Sequence, residues 1–488
     1  MRISQFTTHM AGLGLATSIL FSACTAQKNV NAFVTTADQS MVFKPLSIPL
    51  DNGSSADANT IVLNPAVKFQ EMDGFGAAIT GSTCYNLLKM KPEDRTALLK
   101  ETFDPVDGMG YSYIRISMGC SDFSMDEYTH CDSVGIENFA IHELDKRDLF
   151  PILKEILAIN PKVKIMSSPW TPPIWMKVNN LKDLKPFPSW VDGQLNPAYY
   201  QDYATYFVKF IQAMEKEGFM IESTTIQNEP LNRGNSASLF MTWQEQRDFI
   251  KTALGPAFKA AGIKTKIVAY DHNYNYDYPE KEECADQVGY PEHIYADADA
   301  AQYIDGAAFH AYGGDKSEML RIHTVRPDKN LYFTEISNGE WGDGYSFAND
   351  LMWNMREVGI GTINNFCKAV MVWNLMLDEN HAPYRPHGCN MCLGAIDISS
   401  KDYKTMVKNS HYYAMGHLSK VIKPGAFRIE TKGMQQDGVY YTAVLNPDGT
   451  YGLVLQNDTD AEVDIRVSAD EQTFNCKVPS RSVSSFIW

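Results

Sequence analysis

Residues 196–230 read NPAYYQDYATYFVKFIQAMEKEGFMIESTTIQNEP. Asn196 to Gly218 carries apolar side chains at Tyr199, Tyr203, Phe207, Phe210 and Met214, in the three- and four-residue steps of one helix face, and Gly218 supplies the stop. Ser223 to Gln227 then predicts a short strand with a polar end, and Asn228-Glu229-Pro230 closes the stretch on a carboxylate. Helix followed by strand is the repeating half of a parallel α/β fold. The pattern recurs at once: Thr242 and Glu245 stand in capping-box spacing, Gly262 ends that helix, and Lys266 to Tyr270 is the next strand.

Working outward, eight strand candidates alternate with helical segments: Gly74 to Thr80, Tyr113 to Ser117, Val163 to Ser167, Ser223 to Gln227, Lys266 to Tyr270, Gly306 to His310, Leu331 to Thr334 and Ala369 to Trp373. Eight strands with intervening helices predict an α/β fold of the (β/α)8 TIM-barrel type. From Ser419 the texture changes to short alternating runs broken by turns, as in Val439 to Leu445 before Asn446-Pro447-Asp448-Gly449, which predicts antiparallel sheet. Extended runs such as Thr60 to Leu63 also precede the barrel, so one β-sandwich built from both chain ends is expected.

The expected boundaries are a signal segment at 1–23, a tether at 24–40, N-terminal sandwich strands at 41–66, the barrel at 67–418 and the C-terminal sandwich at 419–488. At the N-terminus, Arg2 precedes an apolar stretch from Met10 to Phe21 that is too short to span a bilayer, and Ser22-Ala23-Cys24 follows. Small residues before Cys24 resemble a bacterial lipoprotein box; an ordinary cleaved signal is the alternative. Either reading exports the chain, and the first anchors it by lipid on Cys24 at the cell envelope.

The chain has 488 residues, 44% hydrophobic and 21% charged, which excludes disorder, coiled coil and collagen. Its net charge of −16 repels polyanions and argues against a nucleic-acid partner. Neither a P-loop nor a strand-linked G-x-G-x-x-G is present, and no ligand cluster suggests catalytic metal, so no cofactor is expected. Cys389-Asn390-Met391-Cys392 has a suggestive spacing that leaves three readings open: a local disulfide, free thiols, or a zinc pair helped by His381 and His387.

Active sites of such barrels lie at the C-terminal strand ends. Glu229 ends the fourth strand, with Pro230 biasing it toward extended backbone, and Glu335 in Leu331-Tyr332-Phe333-Thr334-Glu335-Ile336-Ser337 ends the seventh. Strands four and seven face each other across the mouth, so two carboxyl groups can converge on one ligand. Retaining glycosidases need such a pair at roughly 5 Å, one protonated to release the departing oxygen and one ionised to attack the anomeric carbon.

The chain also resembles glycoside hydrolase family 30, of the retaining β-glycosidase superfamily that includes glucosylceramidases. The resemblance runs through Phe69 to Ala78, Tyr113 to Ser117, Cys120 to Phe123 and Ser124, Ser168-Pro169-Trp170-Thr171-Pro172-Pro173, the two glutamate motifs and Val372-Trp373-Asn374-Leu375. It implies Glu229 as acid/base and Glu335 as nucleophile. It further implies Asn228 on the sugar 2-hydroxyl, Asp122 and Trp170 on the −1 sugar, Trp373 as a platform beneath it, and His310 and Tyr312 lining the site. Arg115 would lie just below and keep Glu335 ionised.

Gly388-Cys389-Asn390-Met391-Cys392-Leu393-Gly394 resembles the β-1,6-glucanase branch of that family, whereas His381 and Ala382 depart from the two glycines usual before this proline. The resemblance implies a β-1,6-glucan partner. An exo-acting β-glucosidase of glucosylceramidase type is the second reading, and a non-catalytic glycan-binding surface lipoprotein the third; the latter has no reason to keep both carboxylates with Asn228.

Overall fold

The computed structural model describes residue 1 and residues 29–52, 59–276 and 286–488. The signal segment and Cys24 fall outside the described residues. Eight parallel strands close a barrel: β1 (Gly74–Ala78), β2 (Tyr113–Ser117), β3 (Lys164–Ser168), β4 (Ile221–Thr225), β5 (Lys266–Asn273), β6 (Ile304–His310), β7 (Asn330–Glu335) and β8 (Cys367–Asn374). Each falls on a stretch predicted from the sequence, and β8 pairs in parallel with β1 to close the ring. The helix opening the sequence argument runs Tyr200–Lys216 after a 3-10 turn, buries Tyr203, Phe207, Phe210 and Met214, and hands over at Gly218 with φ +92°. The Thr242–Glu245 capping box is present on both sides.

The barrel interior is a packed floor. Tyr113, Met166, Val268, Ala308, Tyr332, Ala369 and Met371 form one buried cluster inside it. Because strand side chains alternate, the inward residues two positions further on make the next layer up: Arg115, Ser168, Thr225, His310, Thr334 and Trp373. This layer is polar where the floor is apolar. On β5 the alternation would bring Tyr270 inward, but the register shifts between Tyr270 and His272, and Tyr270 and Asp271 take φ of +69° and +78°. The shift delivers Asp271 to the polar layer.

A ten-stranded sheet joins both chain ends. The boundaries read from sequence need correction here. Asn29–Thr36, placed in the tether, is a strand that pairs antiparallel with Lys44–Pro49 and with Ser482–Ile487, burying Val30, Ala32 and Val34. One of its partners is the next strand and the other lies at the far end of the chain, so the pairing that ties it into the sheet is not local. Thr60–Glu71 likewise runs past the expected boundary at 66 and pairs with Phe427–Gly433 and Val463–Ala469. At the other seam, the helix Ser410–Val421 carries the barrel past 418.

Gly306 sits directly against the β7 backbone: a Cβ there would lie 2.0 Å from the Asn330 carbonyl oxygen. Backbone cannot yield as a side chain can, so Gly306→Ala is expected to destabilise the fold by about 3 kcal/mol. Gly218→Ala meets nothing within 4 Å and pays only for its left-handed backbone, about 1 kcal/mol. Urea midpoints for the two variants test this ordering.

Candidate active site

Arg115 projects from β2 into the polar layer and is fully buried. Its guanidinium donates to Glu335 Oε2 at 2.5 Å, Asn228 Oδ1 at 2.7 Å, Asp271 Oδ2 at 2.9 Å and Ser168 Oγ at 3.1 Å. Trp170 and Trp373 stack on each other at 5.2 Å, with the Arg115 guanidinium 4.9 and 5.4 Å from their ring centres. A buried cation is tolerated only when its donors are satisfied and its charge is met, and here two carboxylates and two aromatic faces do both.

Asp271 is the residue that the sequence argument missed. It accepts from Arg115, from Thr225 Oγ1 at 2.7 Å, from Thr334 Oγ1 at 2.7 Å and from Ser168 Oγ at 3.1 Å, and lies 3.1 Å from His310 Nε2. Despite burial, the Arg115 charge and these donors hold its carboxyl well below the usual range. The criterion that locates Glu229 and Glu335, a carboxylate at a strand end, applies equally to Asp271; the stretch read from sequence stops at Tyr270, three residues short of the strand's end at Asn273.

Glu229 follows β4 with φ +45° rather than the extended backbone expected from Pro230. Its N–H donates to the Asp271 carbonyl at 2.9 Å, and its own carbonyl accepts from Asn232 N–H at 2.9 Å, so a tight turn sets the conformation. A non-glycine residue here costs on the order of 1 kcal/mol and is held by its surroundings. His310 Nδ1 lies 3.1 Å from Glu229 Oε1, and the Asn232 side chain donates to Oε2 at 2.7 Å. Asn232 is fixed in that sense because its Oδ1 accepts from Gly234 N–H at 2.8 Å.

Glu335 takes the Arg115 bond on Oε2 and the Tyr312 hydroxyl on Oε1 at 3.1 Å. Tyr312 is 42% exposed, but desolvation of its hydroxyl in the pocket and the Glu335 charge raise it well above its ordinary value, so it serves as a donor. A pocket of about 470 Å³ opens above, lined by Asp122, Glu229, His272, Tyr312, Glu335 and Trp373, with Trp341, Asn232 and Asn235 at its side. Asn228 is nearly buried at the base of this lining, and Trp170 and His310 stand behind it. For His310, expected to line the pocket, and Trp170, expected on the −1 sugar, this is a correction: the His310 ring is fully buried and spans Glu229 and Asp271, and Trp170 lies buried against Trp373. The Trp170 indole N–H makes no hydrogen bond among the described residues.

Cys389 and Cys392 form a disulfide, with Cα atoms 5.7 Å apart, that lines the same pocket. Its loop is tied to both sides of the site. Arg385 N–H donates to the Asp122 carbonyl at 2.7 Å, Glu340 N–H donates to the Met391 carbonyl at 2.9 Å, and Gly339 bridges Cys392.

The charges of this cluster are interdependent. His310 is pushed up to about 9: burial opposes its charge, but Glu335, Asp271 and Glu229 outweigh it. Burial, with the charges of Glu335 and Glu229, raises the Asp122 carboxyl well above its usual value, which favours its neutral form. Burial also raises Glu229, yet His310 and His272 bring it below its ordinary value, whereas burial leaves Glu335 above its own. Arg115 and His310 thus carry positive charge and Asp271 negative charge, and the environment holds Glu229 more acidic than usual and Glu335 less.

The family models of the glycosyl hydrolase family 30 TIM-barrel domain and beta sandwich domain match residues 72–422 and 425–486. The chain belongs to glycoside hydrolase family 30. An endo-1,6-beta-D-glucanase of Trichoderma harzianum is 31% identical over 439 residues, 86% of this chain and 84% of that one. The lysosomal acid glucosylceramidase of Mus musculus is 27% identical over 461 residues, 88% and 83% of the two chains. A solved endo-beta1,6-glucanase is 56% identical with a TM-score of 0.90, covering 94% of this chain and 99% of that one. The family 30 chain is therefore a retaining glycosidase with the barrel-plus-sandwich architecture.

Removing the Arg115 charge should expose how much of this family 30 site hangs on it. Arg115→Met strands Asp271 and Glu335 and is expected to cost about 3–5 kcal/mol in urea unfolding, with part of the loss recovered when Asp271→Asn is added.

Proposed function

We propose that this enzyme hydrolyses β-1,6-glucan internally, by double displacement through a covalent glycosyl intermediate on Glu335. The observation carrying the reading is the placement of Glu229 and Glu335 at the ends of β4 and β7 on one pocket that contains Trp373 and the disulfide-pinned loop. The identity to endo-1,6-glucanases along nearly the whole chain supports the linkage.

In the first step Glu335 attacks the anomeric carbon while Glu229 gives its proton to the departing oxygen, which in a β-1,6-linkage is the O6 of the next glucose. The substrate-free cluster favours the ionised form of Glu229, the reverse of this demand. Substrate corrects it in two ways. The departing oxygen takes up a hydrogen bond with Glu229 Oε2 in place of Asn232, and positive charge growing at the anomeric carbon stabilises the ionised form of Glu335, already bonded to Arg115. In the second step Glu229 takes a proton from water, which attacks the same carbon from the face that the leaving group left, and the β configuration is retained. Asn228, its Oδ1 fixed by Arg115, presents its amide to the 2-hydroxyl, and neutral Asp122 can donate to a sugar hydroxyl.

Pustulan, laminarin and an aryl β-glucoside, with products separated by chromatography, test the reading. The expected result is a ladder of gentio-oligosaccharides from pustulan alone, lost in Glu335→Gln by a factor of about 10⁴ or more. Glucose from the aryl glucoside with pustulan untouched would instead favour a glucosylceramidase-like exo enzyme, and binding without turnover a glycan-binding protein.

We further propose that Cys24 is lipidated and anchors the exported enzyme at a bacterial envelope, on the strength of Arg2, the apolar Met10 to Phe21 and the small residues before Cys24. Labelling with a radioactive fatty acid should mark the wild type and not Cys24→Ser; equal labelling of both contradicts it.

A further inference from the structure

His272, on β5 beside the bulge, faces the pocket but has no part in the glycosidase steps above. Its Nδ1 lies 3.8 Å from Glu229 Oε1, and His310 Nδ1 lies 3.1 Å from the same oxygen. The three ligand atoms all fall within 4.8 Å of one another, and all three side chains are buried. A tetrahedral zinc ion with bonds of about 2.0–2.1 Å spaces its ligands about 3.3 Å apart. Two edges of the triangle already bracket that value, and the third is no longer than 4.8 Å.

We propose that Glu229, His272 and His310 form a binding site for a borderline divalent transition ion, Zn²⁺ or Cu²⁺, that seals Glu229 and stops turnover. Two imidazole nitrogens and one carboxylate oxygen are the donors such ions select, whereas Mg²⁺ and Ca²⁺ require shells of oxygen. The outer partners are in place. His310 presents its other nitrogen, Nε2, to Asp271 Oδ1 at 3.1 Å, and Asp271 is itself pinned by Arg115, Thr225 and Thr334. This carboxylate–histidine support is what orients a metal-binding imidazole. Asn232 holds Glu229 Oε2, which leaves Oε1 as the ligand atom. Glu229 and His272 both line the pocket, so an ion has a path in and its fourth position faces solvent. Metal binding through His310 Nδ1 displaces the proton shared with Glu229 Oε1, while Nε2 keeps its own toward Asp271.

The ion blocks catalysis because it occupies the carboxyl group that must exchange a proton with the departing oxygen. This consequence rests on the role given to Glu229; the binding itself does not.

The test uses the untagged full chain with Zn²⁺ in calorimetry and Co²⁺ as a spectroscopic probe. One ion per chain is expected, with the visible bands of four-coordinate Co²⁺, and His272→Ala should weaken Zn²⁺ binding about tenfold or more. His272→Gln, closer in volume, repeats the measurement should the alanine variant fold poorly by circular dichroism. Unchanged affinity in the His272 variants, loss of binding instead in Cys476→Ser, which removes a free thiol on the sheet strand Gln472–Val478, or equally tight binding of Mg²⁺ would each overturn the site. Inhibition of pustulan hydrolysis by Zn²⁺, reversed by a chelator, is the expected functional readout; binding at His272 without inhibition counts for the site and against the role of Glu229.

Discussion

The ion pair between Arg115 and Asp271, both fully buried above the barrel floor, is the interaction on which the site depends. Neither charge is tolerable alone at that depth. Together they fix three things at once: the guanidinium reaches Glu335 and Asn228, the carboxylate reaches His310 and the hydroxyls of Thr225 and Thr334, and the Asp271 carbonyl holds the Glu229 backbone. Every group of the reaction is therefore referred to one pair. A retaining mechanism needs its two carboxyl groups fixed to within fractions of an ångström, and charge-assisted bonds to buried partners give that rigidity better than exposed ones.

The same pair sets the proton arrangement. With Arg115 and His310 positive and Asp271 negative, the cluster is neutral when the two glutamates hold one proton between them. Double displacement uses that state, since one glutamate must give a proton while the other attacks. Burial makes a second negative charge on the pair costly, and positive charge rising at the anomeric carbon offsets that cost for Glu335. Asn232 and the disulfide-pinned loop shape the surroundings in which this occurs.

Much of this was legible in the sequence, for identifiable reasons. The eight strands and the long helix Tyr200–Lys216 are local signals, written in apolar spacing and glycine stops, and they appear where the pattern put them. Glu229 and Glu335 were found because strand ends are where barrel chemistry lies. Asp271 escaped because a bulge on β5 breaks the alternation that locates inward residues, and only the positive φ of Tyr270 and Asp271 brings the carboxylate in. Asn29–Thr36 pairs on one edge with the nearby Lys44–Pro49 and on the other with Ser482–Ile487 at the opposite terminus, and that second pairing leaves no local signal. The left-handed backbone of Glu229 overrode the bias of Pro230 through bonds to Asp271 and Asn232, contacts distant in sequence or set by the turn itself.

The account stands on Glu335 as the group that becomes covalently bound. A 2-deoxy-2-fluoro-gentiobiosyl fluoride slows the second displacement and accumulates the intermediate, and peptide mass analysis then locates the label. The account predicts one label per chain, on the peptide containing Glu335, released on prolonged incubation as activity returns. Label on Glu229 or on Asp271, or inactivation without any covalent adduct, would contradict it.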